Sequence, residues 1–469
     1  MTSLHFVGIG GTGLSAIARV MLERGASVSG SDIQLNTSTC ALAADGARIT
    51  LGHQAANVHG ADLVIISSAI KPDNPEVVEA RRLGIPVVKR AEFLPQVMGG
   101  QKQICIAGTH GKTTTTAMIA MLLTAADLDP SFIIGGNVPE LGTNAHAGRG
   151  SHFVIEADEY DRMFLGLQPW IAIITSLELD HVDCYPTVAD IYQAFAEFAG
   201  RVQADGTILA CADQPAVLEV AQASLAIRPA SQRPSLLTYS LDAQADWRAV
   251  ELTSNQRGGT SFRVLRSGQP VGEYALSIPG RHNVSNALAA IAVGTLLGLP
   301  AELMANTLSR FQGAQRRFEI RGEAGGVTVI DDYAHHPTEI RATLAAARQR
   351  FGGRRIWAVF QPHTYSRTRK FFEDFTRSFA DADRVLLTDI YAARERDEGD
   401  VSVADLAKRI IGPKALYTGG IAPTSEYLME HVAPGDVIIT LSAGDGNQIG
   451  ELVLARLSGS LPRENSDGG

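Results

Sequence analysis

The sequence predicts an α/β protein of three domains: a Rossmann-like N-terminal domain, a central P-loop-type α/β domain, and a C-terminal Rossmann-like α/β domain. Three observations carry this expectation. Short apolar runs alternate with helical patterns along most of the chain, the rhythm of parallel strands joined by crossover helices. Two glycine-rich loops, beginning at Gly8 and Gly108, each stand between a strand-like run and a helical stretch. A length of 469 residues, at roughly 100–200 residues per domain, corresponds to about three domains.

The first unit, residues 1–99, is read from LHFVGIG, a helix from about Leu14 to Arg24, and the runs ASVSGSD, ADLVIISSA and IPVVKR. The polar, glycine-bearing segment PQVMGGQKQ (Pro95 to Gln103) precedes a new apolar strand, ICIAG, which places a boundary near residue 100. The second unit, residues 100–312, continues through FVIEAD, IAIITSLE, GTILAC and an alternating strand-like patch at 258–278. Its run ALAAIAVGTLLGL (287–299) is too short for the roughly 20 residues of a membrane span and is predicted to be a buried helix. The stretch FQGAQRR opens the third unit, residues 313–457, with VTVIDD, RIWAVFQP, RVLLTDI and DVIITLS as strands. The small, polar tail 458–469 is predicted to be disordered.

Composition narrows the function. With 45% hydrophobic and 19% charged residues the chain is an ordinary globular one, which excludes disorder, collagen and coiled coil. Fifty acidic against 41 basic residues give a net charge of −9, opposite to the footprint of a nucleic-acid or anionic-membrane binder, so neither partner is expected. Any anionic ligand must be met locally. The opening MTSLHFVGIGG runs straight into a strand and lacks a secretory leader, so a cytoplasmic location is expected. Cys40, Cys105, Cys184 and Cys211 form no CxxC pair and are expected to be free thiols.

Gly8-Ile9-Gly10-Gly11-Thr12-Gly13 fits GxGxxG, with Asp32 at the end of the next strand. Such a turn lets backbone amides approach a pyrophosphate at a helix start, and the acid can hold a ribose. Alone it suits an NAD-dependent oxidoreductase or a sugar nucleotide equally. Gly108-Thr109-His110-Gly111-Lys112-Thr113-Thr114 contains GKT, in which the lysine reaches β/γ-phosphates and a threonine hydroxyl ligates Mg²⁺. Ile106 stands where the first glycine of the usual phosphate loop would fall. Two phosphate loops favour a reaction joining a nucleotide-linked substrate to ATP chemistry over an oxidoreductase, which leaves the second loop idle, or a non-enzymatic nucleotide-binding regulator.

Glu156-Ala157-Asp158-Glu159-Tyr160-Asp161 crowds four carboxylates at a strand end, and Glu178-Leu179-Asp180-His181 ends the next apolar run. Like charges so close call for a cation or an arginine unless the loop is simply exposed, and two metal ions bridging phosphates fit acids and a histidine at successive strand ends. His282, Asn283 and Asn286 open the apolar helix, as caps or facing a purine. Asp331 to Pro337 and Gln361 to Arg367 place polar groups at the carboxyl edge of the third sheet. Arg316, Arg317 and Arg367 can clamp phosphate or carboxylate. No lysine occurs between Lys112 and Lys370, which excludes Schiff-base chemistry in the central unit.

The ordered series GIGGTGLSAIA, GTHGKTTTT, EADEYDRMFL, LELDHVDCYP, GRHNVSNALAA, RRFE, DDYAHHPTEI, FQPHTYSRT and SAGD resembles the motif series of the Mur ligases along essentially the whole chain. The resemblance implies a UDP-binding domain, a central ATP-binding domain and a C-terminal domain that closes over ATP and an amino acid. It implies ATP-dependent joining of L-alanine to the lactyl carboxylate of UDP-N-acetylmuramate through an acyl phosphate, in peptidoglycan precursor synthesis, by a monomer or homodimer. A tripeptide-adding recycling ligase is the alternative within the family. Gly8, Gly10, Gly11, Thr12, Gly13 and Asp32 would then hold the UDP-sugar. Gly108 to Thr114 would hold the ATP phosphates, with Lys112 on the γ-phosphate. His282, Asn283, Asn286 and Arg317 would complete the ATP site, and Thr113, Glu156 and His181 would hold two Mg²⁺ ions. His335, His336, His363 and Arg367 would form the amino-acid pocket, with Arg367 pairing the carboxylate and one of His335 and His336 as general base. Some relatives carry a carbamoylated lysine after the DH motif; Tyr192 to Phe198 has none, which agrees with the alanine-adding branch.

Overall fold

The computed structural model describes residues 2–460 as three sheets strung in order along the chain. The first holds β1 (Ser3–Val7), β2 (Ser27–Asp32), β3 (Arg48–Leu51), β4 (Leu63–Ile66) and β5 (Val87–Lys89), in the order β3-β2-β1-β4-β5. All its pairings are parallel. The order reverses at β1, so the glycine turn that follows β1 emerges at the switch point of the sheet, where α/β sites form.

The second sheet has ten strands: β6 (Lys102–Ala107), β7 (Ser131–Val138), β8 (Thr143–His146), β9 (His152–Glu156), β10 (Ile171–Ile174), β11 (Thr207–Cys211), β12 (Ser235–Ser240), β13 (Trp247–Ser254), β14 (Thr260–Arg266) and β15 (Gln269–Ala275). Its order is β15-β14-β13-β12-β11-β10-β6-β9-β7-β8. The core from β7 to β13 is parallel, and antiparallel strands close both edges. β6 and β10 are buried on both faces at Ile104–Ala107 and Ile171–Ile174, which is why they read as unbroken apolar runs. The patch expected at 258–278 is the β14–β15 hairpin, turning at Ser267 (φ 48°) and Gly268 (φ 80°). The apolar helix runs Arg281–Leu296, beginning earlier than expected because its first turn belongs to the site, and it packs on the helix Lys112–Ala125.

The third sheet, β16 (Glu319–Ala324), β17 (Val327–Asp332), β18 (Ile356–Phe360), β19 (Arg384–Thr388), β20 (Lys414–Gly419) and β21 (Val437–Leu441), has the order β16-β17-β21-β18-β19-β20. Only β16 is antiparallel. Ser458 and Ser460, the start of the tail expected to be disordered, turn back on the helix Asn447–Leu457, with Ser460 N–H donating to Ala455 O at 2.9 Å. The rest of that tail lies outside the described residues. One hydrophobic cluster joins the N-terminal sheet to the central one, from Phe6, Ile17 and Phe93 to Phe153, Tyr185 and Phe195. The two clusters covering the third sheet contain residues of that unit alone. Among the described residues, no helix is long and apolar enough to cross a membrane.

Candidate active site

Strands β1, β6, β9, β10, β17 and β18 all deliver polar loops from their carboxyl ends into one cleft. A cavity of about 510 Å³ runs from Thr12 and Gly13, past Lys112 and Glu156, to His335 and Arg367. A second cavity of about 250 Å³ adjoins it behind the phosphate loop.

In the N-terminal turn, Gly8 (φ 82°) and Ile9 donate their N–H groups to Ser31 O at 2.8 and 3.1 Å. Asp32 accepts the Gly10 N–H at 2.8 Å, and Asn36 Nδ2 donates to Gly10 O at 3.0 Å. The acid expected to hold a ribose thus also braces the glycine turn through one of its two oxygens. Thr12 and Gly13, at the start of the helix Thr12–Glu23, face the large cavity. The Arg90 guanidinium lies so close over Gly13 that a Cβ there would overlap it, and Arg90 Nη2 donates to Asp158 at 3.0 Å.

The phosphate loop needs its glycines. Gly108 (φ 134°) and Gly111 (φ 84°) adopt conformations side chains rarely take, and a Cβ on Gly108 would overlap Thr175 and Ser176. Gly111 caps the helix Lys112–Ala125, whose amide end faces the cleft. Lys112 Nζ donates to Gly108 O at 2.6 Å and to Glu159 Oε1 at 2.9 Å. Glu156 accepts the Gly135 N–H and lines the large cavity with Thr113. Burial pushes the pKa values of Glu156 and Glu159 up, although Lys112 opposes the rise in both. Glu159 Oε2 is buried and lies 2.9 Å from Lys112 Nζ. His181 (φ 49°) has Nε2 3.7 Å from Glu159 Oε1 and its ring edge-on to Tyr160 at 5.1 Å. Thr113, Glu156 and His181 share one cavity with Asp158 and Glu159, and this hydroxyl, carboxylate and imidazole set offers donors that fit Mg²⁺ beside a phosphate loop.

His282, Asn283, Asn286 and Arg317 line the second cavity together with Gly111 and Thr114. The helix there is capped by Gly280 with no side-chain cap, so the polar cluster is not a capping device. Asn283 Nδ2 donates instead to Pro279 O at 2.7 Å.

On the third sheet's edge, His335 Nδ1–H donates to Tyr333 O at 2.8 Å, and the ring faces His363 at 5.7 Å. Burial and the Arg367 charge push the His335 pKa down to about 3; the same causes push His363 down to about 4. Arg367 donates from Nε and Nη2 to Asp180 Oδ1 at 3.0 and 2.7 Å and from Nη1 to His363 Nδ1 at 3.0 Å. The guanidinium expected to meet an incoming carboxylate is here held by Asp180. His336 is a correction to the expected pocket. It caps the helix Pro337–Phe351, with Nδ1 accepting Thr338 N–H at 3.3 Å and its ring against Phe371 at 4.7 Å, and it lines neither cavity.

The sequence grouped Glu159, Glu178 and Asp180 with the metal-binding acids but gave them no partner of their own, and it passed over Glu339, three positions after His336. Arg90 carried no signal of its own, being the last residue of the strand-like run IPVVKR. Ligand atoms of His110, Glu178 and His336 lie within 4.8 Å of one another. Thr338 engages two of them, donating its N–H to His336 Nδ1 and its O–H to Glu178 Oε2 at 2.8 Å.

Three family models match in order: the Mur ligase family catalytic domain over residues 3–102, the Mur ligase middle domain over 106–294, and the Mur ligase glutamate ligase domain over 316–444. Among curated relatives, the UDP-N-acetylmuramate--L-alanine ligase of Caldanaerobacter subterraneus subsp. tengcongensis is 42% identical over 454 residues, covering 96% of this chain and 97% of its own. That of Geobacter sp. strain M21 is 45% identical over 457 residues, with 97% of both chains covered. The UDP-N-acetylmuramate-alanine ligase MurC of Thermotoga maritima superimposes with a TM-score of 0.82 at 28% identity, covering 98% of this chain and all of that one. A murein peptide ligase from Psychrobacter arcticus does so with a TM-score of 0.73 at 27% identity, covering 99% and 100%. With its cleft, its motif order and these full-length relatives in agreement, this chain belongs to the Mur ligase family.

Proposed function

We propose that the protein joins L-alanine to the lactyl carboxylate of UDP-N-acetylmuramate with hydrolysis of ATP to ADP and phosphate, in peptidoglycan precursor synthesis. Relatives of that name at 42–45% identity over nearly the full chain carry this reading. The continuous cleft joining a pyrophosphate-type turn, a phosphate loop and a cationic pocket supports it. The tripeptide-adding alternative rests on a more distant structural likeness.

The UDP diphosphate lies at the Thr12–Gly13 helix start, ATP fills the smaller cavity and L-alanine enters beside His335, His363 and Arg367. The chain divides near residues 100 and 312, where the sheets change. The lactyl oxygen attacks the γ-phosphorus, ADP leaves, and an acyl phosphate forms. The alanine nitrogen attacks the acyl carbon, and phosphate departs from a tetrahedral intermediate. Lys112 leaves its loop carbonyls for the transferring phosphoryl oxygens and stabilises their charge. Thr113, Glu156 and His181 would hold Mg²⁺, which supplies further neutralisation of the phosphate charge. His335 enters as an acceptor: with Nδ1–H given to Tyr333 O, its Nε2 lone pair is left for the amine, and burial with the Arg367 charge keeps the ring neutral before substrate arrives. Of the two histidines that the sequence suggested as general base, His335 lines the large cavity and is placed to take the proton the amine loses as the C–N bond forms, whereas His336 lines neither cavity. Arg367 meets the amino-acid carboxylate only by sharing or releasing Asp180.

The test is phosphate release from Mg-ATP with UDP-N-acetylmuramate and, in turn, L-alanine, glycine, L-serine and the tripeptide. Release that needs the sugar nucleotide and is fastest with L-alanine is expected. Preference for the tripeptide would reassign the acceptor, and no release with any acceptor would overturn the ligase reading.

A further inference from the structure

We infer that Glu339 is a positioning residue that fastens the phosphate loop of the central unit, through His110, to the amino-acid side of the C-terminal unit. The inference rests on the ligase reading above and goes beyond it by coupling two of its substrate sites through one carboxylate.

Glu339 is the third residue of the helix Pro337–Phe351 and completes its capping box: Oε2 accepts the N–H groups of His335 and His336 at 3.1 and 3.3 Å. A carboxylate in that role ordinarily faces water. This one is only 14% exposed, and its second oxygen, Oε1, accepts His110 Nδ1–H at 3.1 Å from a residue 229 positions away on another sheet. It stands in the wall between the two cavities and lines both.

His110 is fixed from the other direction. Its N–H donates to Ser176 Oγ at 2.8 Å, and its carbonyl accepts the Thr175 hydroxyl at 2.5 Å, so the ends of β6 and β10 hold the loop from below. Glu339 then holds it from above. The charged groups around this bridge are Glu178, 3.7 Å from His110 Nε2; Arg317, 3.8 Å from Glu339 Oε1; His335, 3.4 Å from Glu339 Oε2; His336; and Arg341, which reaches Thr338. Arg317 and His335 are the residues read as facing phosphate and amino acid. A shift of Glu339 therefore moves His335 through its own backbone N–H and the phosphate loop through His110. A plain capping glutamate would not reach the loop at all.

The experiment is a double-mutant cycle, His110→Gln, Glu339→Gln and the pair, in the full chain. It reads kcat/KM for L-alanine, the dissociation constant of ATP and the melting temperature. Each single variant is expected to lower kcat/KM for L-alanine by about tenfold or more, with a smaller change in ATP affinity, and the pair to be no worse than the poorer single, as coupled neighbours behave. Losses that multiply in the double variant would overturn the inference, as would a lowered melting temperature at unchanged kcat/KM. Should Glu339→Gln fold poorly, Glu339→Asp keeps the charge and the cap but shortens the reach, and the same cycle is run with it. Absence of L-alanine-dependent turnover in the unaltered protein would strike the ligase reading alone. The bridge would then be read from the rise in melting temperature that Mg-ATP produces, expected to be non-additive across the cycle and overturned by additivity.

Discussion

At the scale of single residues, the cleft is a problem in compensating charge. Glu156, Asp158 and Glu159 share one corner with Lys112, and Arg90 holds Asp158 from the N-terminal side. Burial alone would lower the Lys112 pKa, but the surrounding carboxylates, Glu159 first, raise it, so the lysine is a fixed cation waiting for phosphate. Lys112→Ala is expected to lower kcat by roughly 10² or more, the typical cost of one preorganised electrostatic donor. Phosphate release under saturating substrates measures it, and an unchanged rate would remove Lys112 from the mechanism. His110 carries a pH signature. Burial opposes its protonation, yet the hydrogen bond to Glu339 and the nearby charges of Glu178 and Glu339 outweigh burial and raise its pKa from 6.5 to about 9. A raised folded pKa gives stability that is full below pH 6.5 and is lost as pH climbs through 9. The melting temperature of the unaltered protein should therefore fall between pH 6.5 and 9 more steeply than that of His110→Gln. Parallel curves would show that His110 does not titrate with folding.

At the scale of elements, the two glycine turns differ in what their missing side chains make room for. At Gly108 the obstacle is backbone and a rigid strand end, whereas at Gly13 it is the far end of a flexible arginine. Gly13→Ala should therefore fold normally but displace Arg90 from its place between the turn and Asp158, raising KM for UDP-N-acetylmuramate several-fold more than KM for ATP. Equal changes in both, or none, would remove Arg90 from the diphosphate side. The same contrast explains what was legible. Strands buried on both faces, such as β6, β10, β17 and β21, announce themselves as apolar runs, and loops after them carry the motifs. Edge strands β3 (RITL) and β20 (KALYTG) are half exposed and mix charges with short apolar stretches, so nothing in them exceeds a loop's signal. The position of His336 was illegible for another reason. Adjacent histidines at a helix start point in different directions, and only packing against Phe371 decides that the second turns inward. Asp32 and Arg367 were recognised as functional types, but their partners Gly10 N–H and Asp180 lie 22 and 187 positions away, beyond any local pattern.

At the scale of the whole molecule, apolar packing is divided unevenly among the three sheets. The N-terminal and central sheets share one core, which includes the T-shaped and stacked rings of Phe164, Phe195 and Phe198 on the central side and Phe93 on the other. The third sheet keeps its two hydrophobic clusters to itself. Across the cleft it meets the central unit through polar pairs: Glu339 with His110, Arg367 with Asp180, Thr338 with Glu178, and Arg394 with Tyr160. Separating polar pairs into water forfeits far less than separating apolar surface, since each group exchanges a protein partner for solvent. Motion should therefore concentrate at the joint before the third sheet, where Gly313, Arg316 and Phe318 all carry positive φ. Small-angle scattering of the full chain should show a contraction when UDP-N-acetylmuramate and a non-hydrolysable ATP analogue are added together, and a larger radius without ligands at high salt, as the exposed pairs are screened. The buried Arg367–Asp180 pair is screened least and sets how far salt alone can open the cleft. Contraction with the sugar nucleotide alone would place the moving joint between the first two sheets instead, against their shared core, and would reverse the order of rigidity argued from the packing.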